Sequence, residues 1–146
     1  MGRVLIADDD VEVRSLLETV LRQRGLVVDL AADGREAIDR MEETDYAVVV
    51  VDLMMPNVDG FGVIEHLGAR ESKPMPVVLV ITGADAPVVG RLDARVIHGI
   101  IHKPFDPDDL ANIVAACADI KNRSTLEAMA MAVLAGSPLI SLLTRL

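Results

Sequence analysis

Four short aliphatic runs in this chain each end on a polar residue able to hold a hard cation or a phosphoryl group. Val4-Leu5-Ile6-Ala7 leads to Asp8 and Asp9, and Val48-Val49-Val50-Val51 leads to Asp52. Val77-Val78-Leu79-Val80-Ile81 leads to Thr82, and Ile100-Ile101-His102 to Lys103. Continuous apolar runs of this length read as strands buried on both faces, as in parallel sheets. Carboxylates, a hydroxyl and an ammonium delivered to one edge of such a sheet form a site for phosphate and a divalent cation. Three converging carboxylates raise one another's pKa if nothing compensates them. A hard ion removes that conflict, and Mg2+ takes one or two carboxylates together with waters and phosphate oxygens. Lys103 precedes Pro104, and a residue before proline is held extended, which fixes the base of its long cationic side chain.

The intervening segments have the pattern needed to place these residues. Asp10 caps a helix expected over 11–24, with Val13, Leu16, Leu17, Val20 and Leu21 at helical spacing and Gly25 at its end. A second strand is expected over 26–30, and Asp33-Gly34 opens a helix carrying Ala37, Ile38 and Met41. Strand three covers 46–51. The loop Pro56-Asn57-Val58-Asp59-Gly60 is dense in turn formers and leads to a helix with Phe61, Ile64 and Leu67 inward. Strand four covers 77–81. Pro87 and Gly90 make any helix in 84–95 short. Strand five covers 99–102, and Asp106 caps a last helix with Leu110, Ile113, Val114, Cys117 and Ile120 on one face. Five β–α units imply an α/β fold, doubly wound around a parallel sheet with helices on both faces. Ligands of such sheets bind outside the strand carboxyl ends, where all the singled-out polar residues fall.

Composition narrows the function classes. The 146 residues are 51% hydrophobic and only 2% aromatic, so one aliphatic core is expected. The net charge is −9 with no Lys/Arg cluster, so no nucleic-acid surface is expected. Cys117, the single cysteine, lies on an apolar helix stripe and reads as a core residue. The N-terminus enters an aspartate-tipped strand rather than a secretory signal, and a reducing cytoplasm is expected. His98 and His102 lack a third clustered ligand and read as surface or edge histidines.

These motifs, in this order and spacing, resemble the receiver domain of bacterial two-component response regulators, over residues 3–121. The resemblance rests on Asp8-Asp9, on Asp52-Leu53-Met54-Met55-Pro56 with Asp59-Gly60, on Thr82-Gly83, and on Lys103-Pro104-Phe105. It implies a flavodoxin-like five-stranded sheet of order 2-1-3-4-5. It implies that Asp52 accepts a phosphoryl group from a sensor histidine kinase, a histidine phosphotransfer protein or a small acyl phosphate. Asp8, Asp9, Asp52 and the backbone carbonyl of Met54 would hold Mg2+ or Mn2+, while Thr82 and Lys103 grip the phosphoryl oxygens. The family usually carries an aromatic residue three positions before the lysine; here Ile100 stands there. A downstream protein target, rather than nucleic acid, would read the switch.

Residues 1–121 are thus expected to form the receiver and 122–146 an apolar, helical extension. Leu126, Met129, Ala130 and Val133 form a stripe, broken by Gly136-Ser137-Pro138 before Leu139-Ile140-Ser141-Leu142-Leu143. The uncharged stretch 128–144 is at the lower limit of the ~17–25 residues that span a bilayer, and the break argues against spanning. Packing on its own domain or in a homodimer, through the extension or the final helix, is expected. Two other functions fit parts of the pattern. A haloacid-dehalogenase-like phosphatase would use Asp8 as nucleophile in Asp8-Asp9-Asp10, although Glu12 stands where that motif wants Thr or Val. A phosphorylation-independent adaptor or dimerisation receiver would act through the tail.

Overall fold

The computed structural model describes residues 2–71, 73–83, 86–119 and 140–142. Strand β3 (Val48–Asp52) is buried at every position, as are all six residues of β4 (Val77–Thr82). A strand can be apolar along its whole length only if both sheet faces are covered, and the side chains here divide accordingly. Val48, Val50, Val77, Leu79 and Ile81 join one core cluster. Val49, Val51, Val78 and Val80 join the other. β1 (Arg3–Ala7) follows the same rule, with Val4 and Ile6 on the first face and Leu5 and Ala7 on the second.

Helix α1 (Val11–Arg22) and helix α5 (Pro107–Asp119) cover the first face, through Leu17, Val20, Leu21, Leu110, Ile113, Val114 and Cys117. Helices α2 (Gly34–Glu43) and α3 (Gly60–Gly68) cover the second, through Ala37, Ile38, Met41, Val63, Ile64 and Leu67. Helix α4 (Ala86–Val89) is a single turn, in line with Pro87 within it and Gly90 directly after it. Each fully buried aliphatic side chain contributes about 1.5–3 kcal/mol, so an almost purely aliphatic core suffices. The central five strands, completed by β2 (Val27–Ala31) and β5 (Gly99–His102), run parallel in the expected order β2-β1-β3-β4-β5.

One element was not expected. Residues Ile140–Leu142 form a sixth strand, β6, antiparallel to β5 at the edge of the sheet. It lies just past the Gly136-Ser137-Pro138 break, so this part of the extension is strand. The stripe over 126–133, where the helix of the extension was expected, lies outside the described residues. Among the described residues, no helix is long and apolar enough to cross a membrane.

Candidate functional site

The parallel register brings the ends of β1, β3, β4 and β5 side by side, and with them the polar residues that follow. Asp52 closes β3 and pairs with Ile81, one residue before Thr82, which in turn pairs with His102 beside Lys103. Asp8 follows β1 and is fully buried; Asp52 is 4% exposed and Thr82 is fully buried. Asp9 faces solvent. Oxygens of the Asp8, Asp9 and Asp52 carboxylates lie within 4.8 Å of one another.

Lys103 closes the pocket. Its Nζ lies 3.0 Å from Asp52 Oδ2 and 3.5 Å from Asp8 Oδ2. Its backbone N–H donates to the Thr82 carbonyl at 2.9 Å, and the peptide to Pro104 is cis. The remaining carboxylate oxygens are held by the backbone. Asp52 Oδ1 accepts the Met54 N–H at 3.1 Å, and Asp8 Oδ1 accepts the Asp10 N–H at 2.9 Å.

Burial pushes the Asp8 carboxyl above the usual carboxylate range; the nearby Asp52 charge adds to this, while the Asp10 N–H and Lys103 oppose it. For Lys103 burial is the largest single influence and disfavours the ammonium, but the hydrogen bond and charge of Asp52, followed by Asp8, outweigh it and raise its pKa. One ammonium therefore serves two buried carboxylates. Three carboxylates within reach of one point, one of them destabilised as an anion, are a donor set suited to a small, hard, oxygen-preferring cation.

Several supporting contacts were not legible in the sequence. Arg14 Nη1 donates to the Asp8 carbonyl at 2.7 Å. The loop after β3 is tied to the start of α2, with Asn57 Nδ2 donating to Asp33 Oδ2 at 2.7 Å and the Gly34 N–H to the Val58 carbonyl at 2.8 Å. Asn57 takes a left-handed φ of 64°, which asparagine tolerates better than most residues; its place in a turn-rich loop was the only signal. A side chain at Gly60 would run into the backbone of Asp52 and Leu53, so the close approach of α3 to the site loop requires glycine. Asp10, by contrast, caps α1 as its sequence position predicts, its Oδ1 accepting from the Glu12 N–H at 2.9 Å and the Val13 N–H at 3.4 Å. His98, expected at a surface or edge, is half-buried, and its Nδ1 accepts the Val78 N–H at 2.8 Å; His102 is exposed. Ile100 is 2% exposed within the core beneath α2 and α3.

A doubly wound five-stranded parallel sheet, with acids, a hydroxyl and a lysine at the carboxyl ends of its strands, defines the class of protein. Residues 4–115 match the family described as the response regulator receiver domain, and the chain belongs to that family. It is 32% identical over 124 residues to a probable transcriptional regulator, ycf27, of Guillardia theta, covering 84% of this chain and 47% of the relative. The chain thus spans about half the length of that curated relative. Among solved structures it resembles the chemotaxis response regulator CheY4 of Vibrio cholerae, with a TM-score of 0.72 and 27% identity over 80% of this chain and 98% of the other. It also resembles the response regulator TrrA of Thermotoga maritima in complex with Mg(2+)-BeF, with a TM-score of 0.67 and 27% identity over 80% of this chain and 99% of that one.

Proposed function

We propose that this receiver is a phosphoacceptor switch in which Asp52 takes a phosphoryl group from a sensor histidine kinase, a histidine phosphotransfer protein or a small acyl phosphate. The observation that carries the reading is the setting of Asp52. Its carboxylate is nearly buried, 3.0 Å from Lys103 Nζ and braced by the Met54 N–H, with the oxygens of Asp8 and Asp9 beside it. A carboxylate oxygen of Asp52 attacks phosphorus, and the bond from phosphorus to the donor's nitrogen or oxygen breaks. The donor leaves with the bonding pair. Transfer of this kind depends on positioning and charge neutralisation rather than on covalent assistance.

Mg2+ or Mn2+, when bound, supplies part of that neutralisation, and Asp8, Asp9, Asp52 and the backbone carbonyl of Met54 would hold it. Lys103 turns its ammonium from the Asp52 carboxylate to a phosphoryl oxygen, and the Thr82 hydroxyl takes another. A structure of a similar protein with Mg(2+)-BeF supports the same ligand chemistry for this pocket. The charge placed on Asp52 then redistributes the contacts of Thr82 and Lys103, and a downstream protein reads the change in a cytoplasmic pathway. The only chemistry assigned to the domain is its own phosphorylation and dephosphorylation.

The phosphatase alternative is weakened by Asp10, whose carboxylate is engaged in capping α1 and so is not available as the second acid of an Asp-x-Asp pair. Incubation with acetyl phosphate and Mg2+ separates the readings. A receiver incorporates one phosphoryl group per chain, lost in Asp52→Asn. Multiple turnover of a phosphate ester that depends on Asp8 and survives Asp52→Asn would contradict it. A dimerisation receiver acting only through its tail would show the same solution mass and partner binding with and without beryllofluoride.

A further inference from the structure

The outer edge of β5 is paired with a segment of the protein's own extension, β6. An uncovered edge strand presents unpaired N–H and C=O groups that template pairing with another extended segment. β4 covers one side of β5, and β6 the other, with Gly99 opposite Leu142, Ile100 opposite Ser141 and Ile101 opposite Ile140. The covered strand is also the one that delivers Lys103. That residue directly follows β5, its N–H bonds to the Thr82 carbonyl at 2.9 Å, and its Nζ lies 3.0 Å from Asp52.

We propose that β6 is a removable cap on the β5 edge whose docking is coupled to the state of Asp52. A phosphoryl group on Asp52 requires Lys103 to leave the carboxylate oxygen it now contacts and turn to a phosphoryl oxygen. Lys103 follows β5 directly and its N–H is tied to the Thr82 carbonyl, so its movement loads the end of that strand, and a strand pinned on both edges yields less readily than one pinned on a single edge. Docked β6 therefore opposes occupancy of the site, and occupancy weakens docking by the same factor, because coupling between two binding events is reciprocal. With three residues, β6 is shorter than the usual strand of about five or six, so its pairing is weak enough to be displaced. The proposal rests on the phosphoacceptor reading of Asp52 and adds a regulator to it.

The test uses the full chain and two variants, Ser141→Pro and Leu142→Pro. Successive N–H groups in an antiparallel strand point to opposite sides, so one of these prolines removes a donor directed at β5 without altering the receiver core. Beryllofluoride with Mg2+ is the probe, its binding followed by thermal stabilisation, and hydrogen exchange is read at the amides of Gly99–His102. The expected result is tighter beryllofluoride binding, by about fivefold or more, in at least one proline variant. Faster exchange at Gly99–His102 is also expected when the unaltered chain binds the probe. Equal or weaker binding in both variants, or unchanged exchange in the unaltered chain, overturns the cap while leaving the phosphoacceptor reading in place. Failure of all three chains to bind beryllofluoride overturns that reading, and the proposal with it.

Discussion

Asp8 and Lys103 set the electrostatics of the pocket from opposite sides. The folded chain holds the Asp8 proton more tightly than the unfolded chain does, because burial raises its pKa. Its contribution to stability is therefore complete below the unfolded carboxylate pKa of ~3.9 and is lost as pH rises through the folded value. Above that folded value, without divalent cation, charged Asp8 is a cost, and Asp8→Asn should raise the thermal midpoint while abolishing the response to Mg2+. The gain should shrink as pH falls through the acid range, which a series of melting curves would show. Lys103→Met should act in the opposite sense. It strips two buried carboxylates of their shared ammonium, so the variant should be less stable without cation and gain more from Mg2+ than the parent, by the same melting assay. Its phosphorylation should slow by about 10²–10³-fold, the usual cost of removing a charge-stabilising donor.

At the scale of elements, the site depends on how closely α3 approaches the end of β3. Gly60 caps that approach from within the helix, its N–H donating to the Leu53 carbonyl at 3.0 Å. Gly60→Ala places a methyl group against the backbone of Asp52 and about 2.6 Å from Leu53 Cα. Backbone cannot move aside as a side chain can, so the substitution should cost about 1–3 kcal/mol and also slow phosphorylation. Gly62→Ala is the control, since its methyl group meets the side chain of Val58 at 2.5 Å, which has more room to adjust. Denaturant unfolding and acetyl phosphate labelling of both variants would distinguish them. Elements of this kind were legible where the signal was local. The valine run of β3, the cap Asp10, the helix start at Asp33-Gly34 and the weak α4 all follow from short-range pattern. The tie between Asp33 and Asn57, 24 positions apart, and the contact of Arg14 with the Asp8 carbonyl were not, because they arise only after the sheet has brought distant loops together.

For the molecule as a whole, apolar runs alternating with helical segments made a parallel, doubly wound sheet readable, while the order of its strands came from the family resemblance. The convergence of Asp8, Asp9, Asp52, Thr82 and Lys103 followed from their places at the carboxyl ends of those runs. β6 did not, because a three-residue strand carries no periodicity of its own and its pairing partner lies some forty residues earlier in the chain. The bond from the Val78 N–H to the His98 ring was not legible for a related reason, because it depends on the register of a neighbouring strand. The two-sided core also predicts a chemical property. Cys117 is fully buried beneath α5, and burial pushes its thiol pKa up to about 12, so it should resist iodoacetamide until the domain unfolds. Alkylation tracking denaturant unfolding would bear this out; rapid labelling of the folded chain would contradict the packing of α5.

The central claim concerns one atom pair, a carboxylate oxygen of Asp52 and an incoming phosphorus. Reacting the full chain with acetyl phosphate, reducing the acyl phosphate with borohydride and mapping the product by peptide mass spectrometry tests it directly. The account predicts modification at Asp52 alone, approaching one per chain, dependent on Mg2+ and absent when the cation is chelated. Modification at Asp8 or Asp9 instead, or no modification with Mg2+ present, would contradict it.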